Sequence, residues 1–499
     1  MAFQTRRGGF APRSTWRKTN VKFQKREETT PDLAKHPLGE LLETIRSDDL
    51  DSTTKVPAGE LSIQDCTYVA SYNWLNKDSP TIVVPGTPPK WTPSQTRQKL
   101  KQDSGTYYRD PNAAHYPPFP TLPAVLALLS QNPTFPTTSI DLFACGNTLG
   151  NLLRFARSDS KPFRFTVQAI GSTVFLARKE NDPREIIQGI HGYGHTFPEA
   201  NTTWDTTVRD SESHQRLIQY TFAGLTSIVR FESDGYLPSS PPPPPSPHTL
   251  HRTTPPTVQD LVNDFAATTI TTTIPSPPSP QSTSTPTLTT ITQNTTTTTP
   301  PSQSQLFDLK TRSAHARGQN LAALHQEMYP TLWLKQIPNV IAAYHDGRGS
   351  FDPSSGIHIT NVTSELRDWE ARNQKELRRY AVLLAWIVEA ARAREEGVVL
   401  EVYSSGVERL EIRKVRGGGG GGEEGGVLPR GDVRGRWERG GGGETEDDGE
   451  EGERGGEKVV DFSSSAGGEE EEEEEEEDGL LDFTGCDAEG CGYCGKCSY

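Results

Sequence analysis

Two short motifs contain the residues of this sequence that are best suited to chemistry, Glu232-x-Asp234 and Asp308-x-Lys310. Each closes an apolar run, and side chains alternate with a period of two along a strand, so Glu232 and Asp234 should share one face. Carboxylates bind Mg²⁺ or Mn²⁺ as hard oxygen ligands. An ammonium beside the ion can orient a water molecule or stabilise the charge that develops on a phosphate. The pattern is typical of a metal-dependent phosphodiesterase.

The same motifs also have an ordinary structural explanation. Acid-x-acid pairs are frequent in an acidic chain, where they mark the exposed end of a strand. The apolar runs around the two motifs predict neighbouring strands, and their apolar residues are Ile228, Val229, Phe231, Leu306, Phe307 and Leu309. The two motifs together are therefore more specific than either one alone.

Two segments have the composition of a folded core, residues 60–237 and residues 305–415. Strand-like and helix-like patterns are interleaved in both segments, which predicts that they form one α/β or α+β domain together. Between them, residues 238–304 are rich in serine, threonine and proline and predict an extended linker inserted into the domain. Such an insertion is tolerable because the cost of closing a loop grows only logarithmically with its length.

The two ends of the chain differ in charge. Residues 1–59 predict a disordered arm whose first 30 residues contain 8 basic and 2 acidic residues, interleaved with Phe10, Trp16 and Phe23. Basic residues neutralise phosphates and aromatic rings stack on bases, so RNA is an expected partner, although a terminus without a partner can have the same composition. Residues 416–485 are rich in glycine and glutamate and predict a disordered acidic tail.

The net charge of −15 belongs to this tail, because residues 417–485 alone contain 24 acidic and 6 basic residues. The acidic total therefore does not exclude a polyanionic ligand for the rest of the chain. The tail could compete with nucleic acid, contact a protein partner or only keep the chain soluble. No apolar run reaches the roughly 20 residues of a membrane helix, and the basic start lacks the apolar core of a secretory signal. We expect an intracellular protein, nuclear or cytoplasmic, without a membrane partner.

The segment 486–499 contains four closely spaced cysteines, Cys486, Cys491, Cys494 and Cys497. Four thiolates suit tetrahedral Zn²⁺, and the glycines between them permit tight turns. An iron–sulfur cluster, a site shared between two chains, or reactive thiols would also fit this spacing. The sequence thus predicts a second metal-binding segment at the C-terminal end, through which the tail could also contact a protein partner.

Several longer strings stand out in the sequence, including "PTIVVPGTPPKWTP", "FESDGYL", "FDLKTRS" and "CGYCGKC". On these strings the sequence resembles a family of fungal proteins that is often catalogued as geranylgeranyl pyrophosphate synthetase. Prenyl synthases bind a diphosphate through Mg²⁺ held by two DDxxD motifs, and this sequence contains no such motif. We therefore regard prenyl-diphosphate synthesis as the least favoured functional hypothesis.

The core, over about residues 60–400 without the linker, resembles the decapping nuclease (DXO-like) family, which has a PD-(D/E)XK-type mixed-sheet fold. The string "ESD" stands at that family's acid-x-Asp motif, "DLK" stands at its ELK motif, and "LWLKQ" ends at its glutamine. The resemblance implies a magnesium or manganese ion held by two carboxylates and a carbonyl, a third carboxylate beside it, and two groups that steer water. By this resemblance, Asp234, Asp308 and the Leu309 carbonyl would hold the ion. Glu232 would be the third carboxylate, and Lys310 and Gln336 would steer water.

Two positions depart from that family's pattern. The string "GHTFP" stands where the family has GYKFE, so that the family's glutamate falls on Pro198, with Glu199 one residue further on. The family's phosphate-facing arginine falls near Asn147 or Leu149. Two hypotheses therefore remain besides the prenyl synthase: a metal-dependent hydrolase that acts at the 5′ end of RNA, and a catalytically inactive relative that binds RNA.

Overall fold

Two mixed β-sheets carry the fold in the described part of the chain. The structure, a computed structural model, describes residues 30–440 except 52–55, 57–58, 160, 189, 191, 239–288, 294–299, 315–320, 407 and 417–425. The strands of sheet A, in their order across it, are β1 (Leu41–Arg46), β19 (Arg409–Lys414), β18 (Val399–Ser404), β7 (Phe163–Ile170), β8 (Thr173–Arg178), β6 (Leu142–Cys145), β11 (Leu225–Glu232), β10 (Ser211–Phe222), β2 (Gln64–Leu75), β3 (Thr81–Val84) and β13 (Thr290–Gln293). The strands of sheet B are β5 (Gln98–Lys99), β16 (Ser350–Phe351), β15 (Asn339–His345), β14 (Leu306–Ser313), β12 (Gly235–Tyr236), β4 (Lys90–Trp91) and β9 (Thr202–Thr203), with β17 (Ile357–Asn361) also paired to β15.

The α-helices in the described part of the chain are α1 (Pro111–His115), α2 (Leu122–Gln131), α3 (Gly146–Ala156), α4 (Thr196–Asn201), α5 (Leu321–Lys335), α6 (Thr363–Arg372), α7 (Gln374–Arg392) and α8 (Asp432–Arg439). Apolar residues of α7 recur every three or four positions, at Leu377, Tyr380, Leu384 and Val388, and all of them are buried in the largest core cluster. The same cluster contains the apolar faces of α3 and α5. None of these helices is long and apolar enough to span a membrane. The mixed α/β architecture that the sequence predicts is confirmed.

Strand β11 lies inside sheet A, and the first acidic motif stands at its C-terminal end. Ile228 packs into one core cluster while Val229 and Phe231 pack into another, so the strand is covered on both faces. Strand β6 runs parallel to β11, with Cys145 paired to Arg230, and α3 begins at the next residue after β6. The first turn of α3 and the acidic motif therefore lie at the C-terminal ends of two neighbouring parallel strands.

The two acidic motifs do not lie on neighbouring strands, which corrects the prediction. β11 pairs with β6 and β10 in sheet A, whereas β14 pairs with β12 and β15 in sheet B. The chain changes sheets at Ser233–Asp234, and Gly235 then pairs with Phe307. A Cβ at Gly235 would lie 2.5 Å from the Phe307 ring and 2.7 Å from the Pro89 carbonyl oxygen, so only glycine permits this close pairing.

Three short segments outside the two predicted core ranges are part of the fold. β1 lies in the range predicted as a disordered arm, β13 lies in the predicted linker, and α8 lies in the predicted acidic tail. Their few apolar residues are diluted by polar or glycine-rich neighbours, so average composition concealed them. Residues 1–29, most of the linker, residues 441–485 and the four C-terminal cysteines lie outside the described residues.

Candidate functional site

Asp234 lies where the chain passes from β11 to β12, and its side chain is buried. The backbone N–H of Leu309 donates a hydrogen bond of 2.6 Å to Asp234 Oδ2. This bond joins residues that are 75 positions apart in the sequence. It places the Asp234 carboxylate against the strand that carries Asp308, and so brings the two acidic motifs together although their strands belong to different sheets.

Asp308 lies on β14, and its carboxylate is held between two lysines. Lys310 Nζ lies 2.9 Å from Asp308 Oδ1, as expected for side chains two positions apart on one face of a strand. Lys335 Nζ lies 3.3 Å from the other oxygen, Asp308 Oδ2. Asp308 is 4% exposed, so both ion pairs are largely shielded from water. The structure thus places Lys310 beside Asp308 and adds a second cation, Lys335.

Lys335 is the residue that sequence reasoning missed. It is the last residue of α5, it is only 1% exposed, and its aliphatic stem lies beside the first residue of α3. A Cβ at Gly146 would be 3.7 Å from Lys335 Cγ, which is ordinary van der Waals contact. Its position next to Gln336 was visible in the sequence, but no short motif connects a residue on α5 with Asp308, 27 positions away.

Gln336 follows α5 with a left-handed backbone, φ 53°. Its side-chain Nε2 donates to the carbonyl oxygen of Trp333 at 2.5 Å, so the amide turns back toward the helix. The backbone carbonyls of Lys335 and Gln336 both accept hydrogen bonds from Gln303 Nε2, at 2.9 and 3.0 Å. In this arrangement the described hydrogen bond of the Gln336 side chain supports the end of the helix, and its predicted role in steering water stays a prediction.

Gln303 is also hydrogen-bonded to a residue of sheet A. Its Oε1 accepts a hydrogen bond of 3.0 Å from Arg216 Nε on β10, and Arg216 also donates to the Pro301 carbonyl oxygen at 2.9 Å. Burial lowers the pKa of Arg216 to about 10, with smaller opposing contributions from Tyr68 and Cys66. The segment that enters β14 is thereby held to both sheet A and the end of α5, which fixes Lys335 relative to Asp308.

Glu232 is the last residue of β11 and is half-buried. Gln215 Nε2, on the paired strand β10, lies 3.4 Å from Glu232 Oε2. Arg230 lies two positions earlier on the same face and is buried. Burial lowers the pKa of Arg230, but Tyr72, Cys145 and Asp110 together outweigh it, and the pKa is raised. Arg230 therefore stays a permanent cation on the face of β11 that carries Glu232.

The residues at which the sequence departs from the decapping nuclease pattern lie on helices α4 and α3. Pro198 is buried in the short helix α4 and offers no carboxylate, while Glu199 beside it is exposed. Leu149 is buried in the core on α3, and Asn147 in the first turn is half-buried. Neither α3 position supplies the cation that the family has there.

The donor set fits a metal ion only in part. Among the residues that the structure describes, no group of three or more His, Cys, Asp or Glu side chains is arranged to hold a metal ion. Asp234 and Asp308 provide two carboxylates, and Mg²⁺ is often bound by one or two carboxylates together with water and substrate phosphates. The pair therefore offers part of the ligand set of a divalent cation, and a bound phosphate and water would have to supply the rest. The predicted ligands Cys486, Cys491, Cys494 and Cys497 lie outside the described residues.

Comparison with known proteins gives one family and a group of solved structures. The family profile described as "Domain of unknown function (DUF8563)" matches residues 50–416. No curated protein sequence matches the chain. The solved structures include Schizosaccharomyces pombe Rai1 with 3′-FADP (TM-score 0.46, 11% identity, 75% of this chain and 99% of that chain). Scheffersomyces stipitis Rai1 with (3′-NADP)⁺ and calcium has a TM-score of 0.47 and 11% identity, over 80% of this chain and 100% of that chain. Candida albicans Rai1 with pU5 and Mn²⁺ has a TM-score of 0.47 and 9% identity, over 80% of this chain and 99% of that chain.

These solved structures, together with Kluyveromyces lactis Dxo1 in complex with manganese, belong to the decapping nuclease family that the sequence motifs resemble.

Proposed function

This chain belongs to the family described as a domain of unknown function (DUF8563), and we propose that it is a metal-dependent hydrolase acting at the 5′ end of RNA. The observation that carries the proposal is the hydrogen bond from the Leu309 N–H to Asp234 Oδ2. It unites the acid-x-acid motif with Asp308-x-Lys310, which is the set of groups that phosphodiester hydrolysis needs. RNA as the substrate follows from the decapping nuclease motifs and from the basic residues 1–30.

In this proposal each group of the site has one task. Asp234 and Asp308 would hold Mg²⁺ or Mn²⁺, which supplies Lewis-acid stabilisation of the charge on the phosphate when it is bound. Lys310, whose side chain is 11% exposed, is the more accessible of the two lysines on Asp308 and would donate a hydrogen bond to a phosphate oxygen. Glu232, the last residue of β11, would accept a proton from the attacking water.

A second candidate function is RNA binding without turnover. It is favoured by the buried ion pair between Lys335 and Asp308, since a lysine already neutralises one of the two metal-binding carboxylates. It is also favoured by Pro198, which removes the carboxylate that the resemblance leads one to expect. On this alternative the two lysines bind phosphate, and the carboxylates only position them.

The test is hydrolysis of RNA by the purified full chain. Capped, 5′-triphosphate and 5′-monophosphate RNAs are incubated with Mn²⁺ or EDTA, beside Asp234→Asn, which keeps an oxygen to accept the Leu309 hydrogen bond. We expect metal-dependent product formation that falls roughly a hundredfold or more in Asp234→Asn. Asp352→Asn, a change at a carboxylate paired with the exposed Arg97, is the matched control and should keep full activity.

The outcomes separate the two candidates. RNA binding that weakens as salt increases, without product in any metal, refutes the hydrolase and supports the binding protein. Activity that is equal in the wild type and in Asp234→Asn refutes the assignment of the site itself.

A further inference from the structure

Lys335 is a buried cation directed at a carboxylate that the proposed function assigns to a metal ion. Its ammonium is 3.3 Å from Asp308 Oδ2, and its residue is 1% exposed. Its stem packs beside Gly146 at the start of α3, and its backbone carbonyl is held by Gln303. A lysine on the surface would move freely, whereas the backbone and the stem of this one are held, which keeps its ammonium within reach of Asp308.

The formal charges of the four central side chains balance. Asp234 and Asp308 contribute two negative charges, and Lys310 and Lys335 contribute two positive ones. A divalent cation added alone would leave an excess of two positive charges in a site that is largely closed to water, which is unfavourable. A phosphate that enters with the cation would restore the balance.

We propose that Lys335 takes the place of the divalent cation on Asp308 while the site is empty, so that the lysine and the metal ion compete for this carboxylate. The proposal rests on the proposed function for the metal ion, and it deepens it by assigning a regulatory role to a residue outside both motifs. Two consequences follow. A divalent cation alone binds weakly, and a phosphate strengthens its binding because the ammonium can leave Asp308 for the phosphate.

The experiment measures Mn²⁺ binding to the full-length protein by the electron paramagnetic resonance signal of free Mn²⁺, with and without inorganic phosphate. We expect Lys335→Met to bind one additional Mn²⁺ at least about tenfold more tightly than the wild type without phosphate. The added site must disappear in the double variant Lys335→Met with Asp308→Asn. This comparison also removes the background from Mn²⁺ bound by the nine consecutive glutamates at 469–477.

Two controls separate the role of charge from that of packing. Lys335→Arg keeps a cation at the same place and should bind Mn²⁺ as weakly as the wild type. Lys179→Met removes a lysine that lies 3.0 Å from the buried Glu401, a carboxylate that is also held by Arg164. It should leave Mn²⁺ binding unchanged. Lys335→Gln supplies the neutral variant if Lys335→Met does not fold.

The proposal is overturned if the neutral variants bind Mn²⁺ no more tightly than the wild type, or if the added site survives Asp308→Asn. Failure of the proposed function looks different. If the neutral variants gain an Asp308-dependent Mn²⁺ site but no variant hydrolyses RNA, the competition holds and the hydrolase is refuted.

Discussion

Single residues in this molecule show how a buried carboxylate is paired with cations. Asp308 lies between Lys310 and Lys335, and Glu401 on β18 is held in the same manner. Each carboxylate is almost fully buried, and each is compensated by two cations rather than one. Charges without partners are costly in a protein interior. The two carboxylates differ in their surroundings, because Asp308 lies beside the motif of Asp234 and Glu401 does not.

The Glu401 pair allows a prediction about stability that is independent of function. Arg164 Nη2 is 2.5 Å from Glu401 Oε1, and both side chains are almost fully buried. Glu401→Gln leaves the Arg164 guanidinium buried without its counterion, so we expect the free energy of unfolding in urea to fall by about 3–5 kcal/mol. Glu396→Gln, at an exposed partner of Arg434, should change it by less than about 0.5 kcal/mol. A loss below about 1 kcal/mol in Glu401→Gln would contradict the expected cost of an unpaired guanidinium.

At the scale of elements, the fold extends beyond the range that the family profile matches. Helix α8 and the residues just before it pack on sheet A, where Trp437 contacts the rings of Phe143 and Phe175. The Trp437 indole N–H donates to Thr173 Oγ1 at 3.0 Å, and its carbonyl accepts from Thr137 Oγ1 at 2.5 Å. One tryptophan thus attaches a helix from the predicted tail to strands in the middle of the domain.

This attachment predicts a large effect of one substitution. Trp437 is 1% exposed, so Trp437→Ala would leave a cavity beside Phe143 and Phe175. We expect the free energy of unfolding to fall by about 3–5 kcal/mol, measured by chemical denaturation. Arg439→Ala changes an exposed residue of the same helix and should have little effect. Equal stability of Trp437→Ala and the wild type would show that α8 adds nothing to the cooperative unit.

At the scale of the whole molecule, buried ionisable groups make the fold sensitive to alkali. Burial raises the pKa of Cys66 from 9.0 to about 11 and that of Tyr72 from 10.0 to about 12. It also raises the pKa values of Tyr220 and Tyr380. The folded chain keeps these protons at pH values where the unfolded chain has released them. Stability therefore falls as pH rises, starting near the ordinary pKa of 9.0 for the thiol and continuing toward pH 12.

The measurement is thermal unfolding between neutral pH and pH 11, together with the absorbance of tyrosinate at constant temperature. We expect the midpoint of unfolding to decline above pH 9, and part of the tyrosinate signal to appear only when the protein unfolds. Complete ionisation of all tyrosines near pH 10 in a protein that is still folded would contradict the burial of Tyr72, Tyr220 and Tyr380.

The sequence by itself determined the properties that depend on near neighbours in the chain. The apolar runs around Val229 and Leu309 predicted strands, and Asp308 and Lys310 lie on one face of such a strand in any fold, because side chains alternate with a period of two. The helix-like patterns in residues 305–415 also depend on near neighbours, and α7 is one of the helices found there.

Only the tertiary structure decided which distant segments meet. The bond from Leu309 to Asp234 spans 75 positions, and the pair of Lys335 with Asp308 spans 27. No local pattern records such contacts, because they depend on the change of sheet at Ser233–Asp234 and on where α5 ends. Average composition likewise concealed α8, since one tryptophan with a matching pocket stabilises a segment that its glycine-rich neighbours would not. The two acidic motifs are therefore visible in the sequence, whereas the pairing of Asp308 with Lys335 follows from the fold.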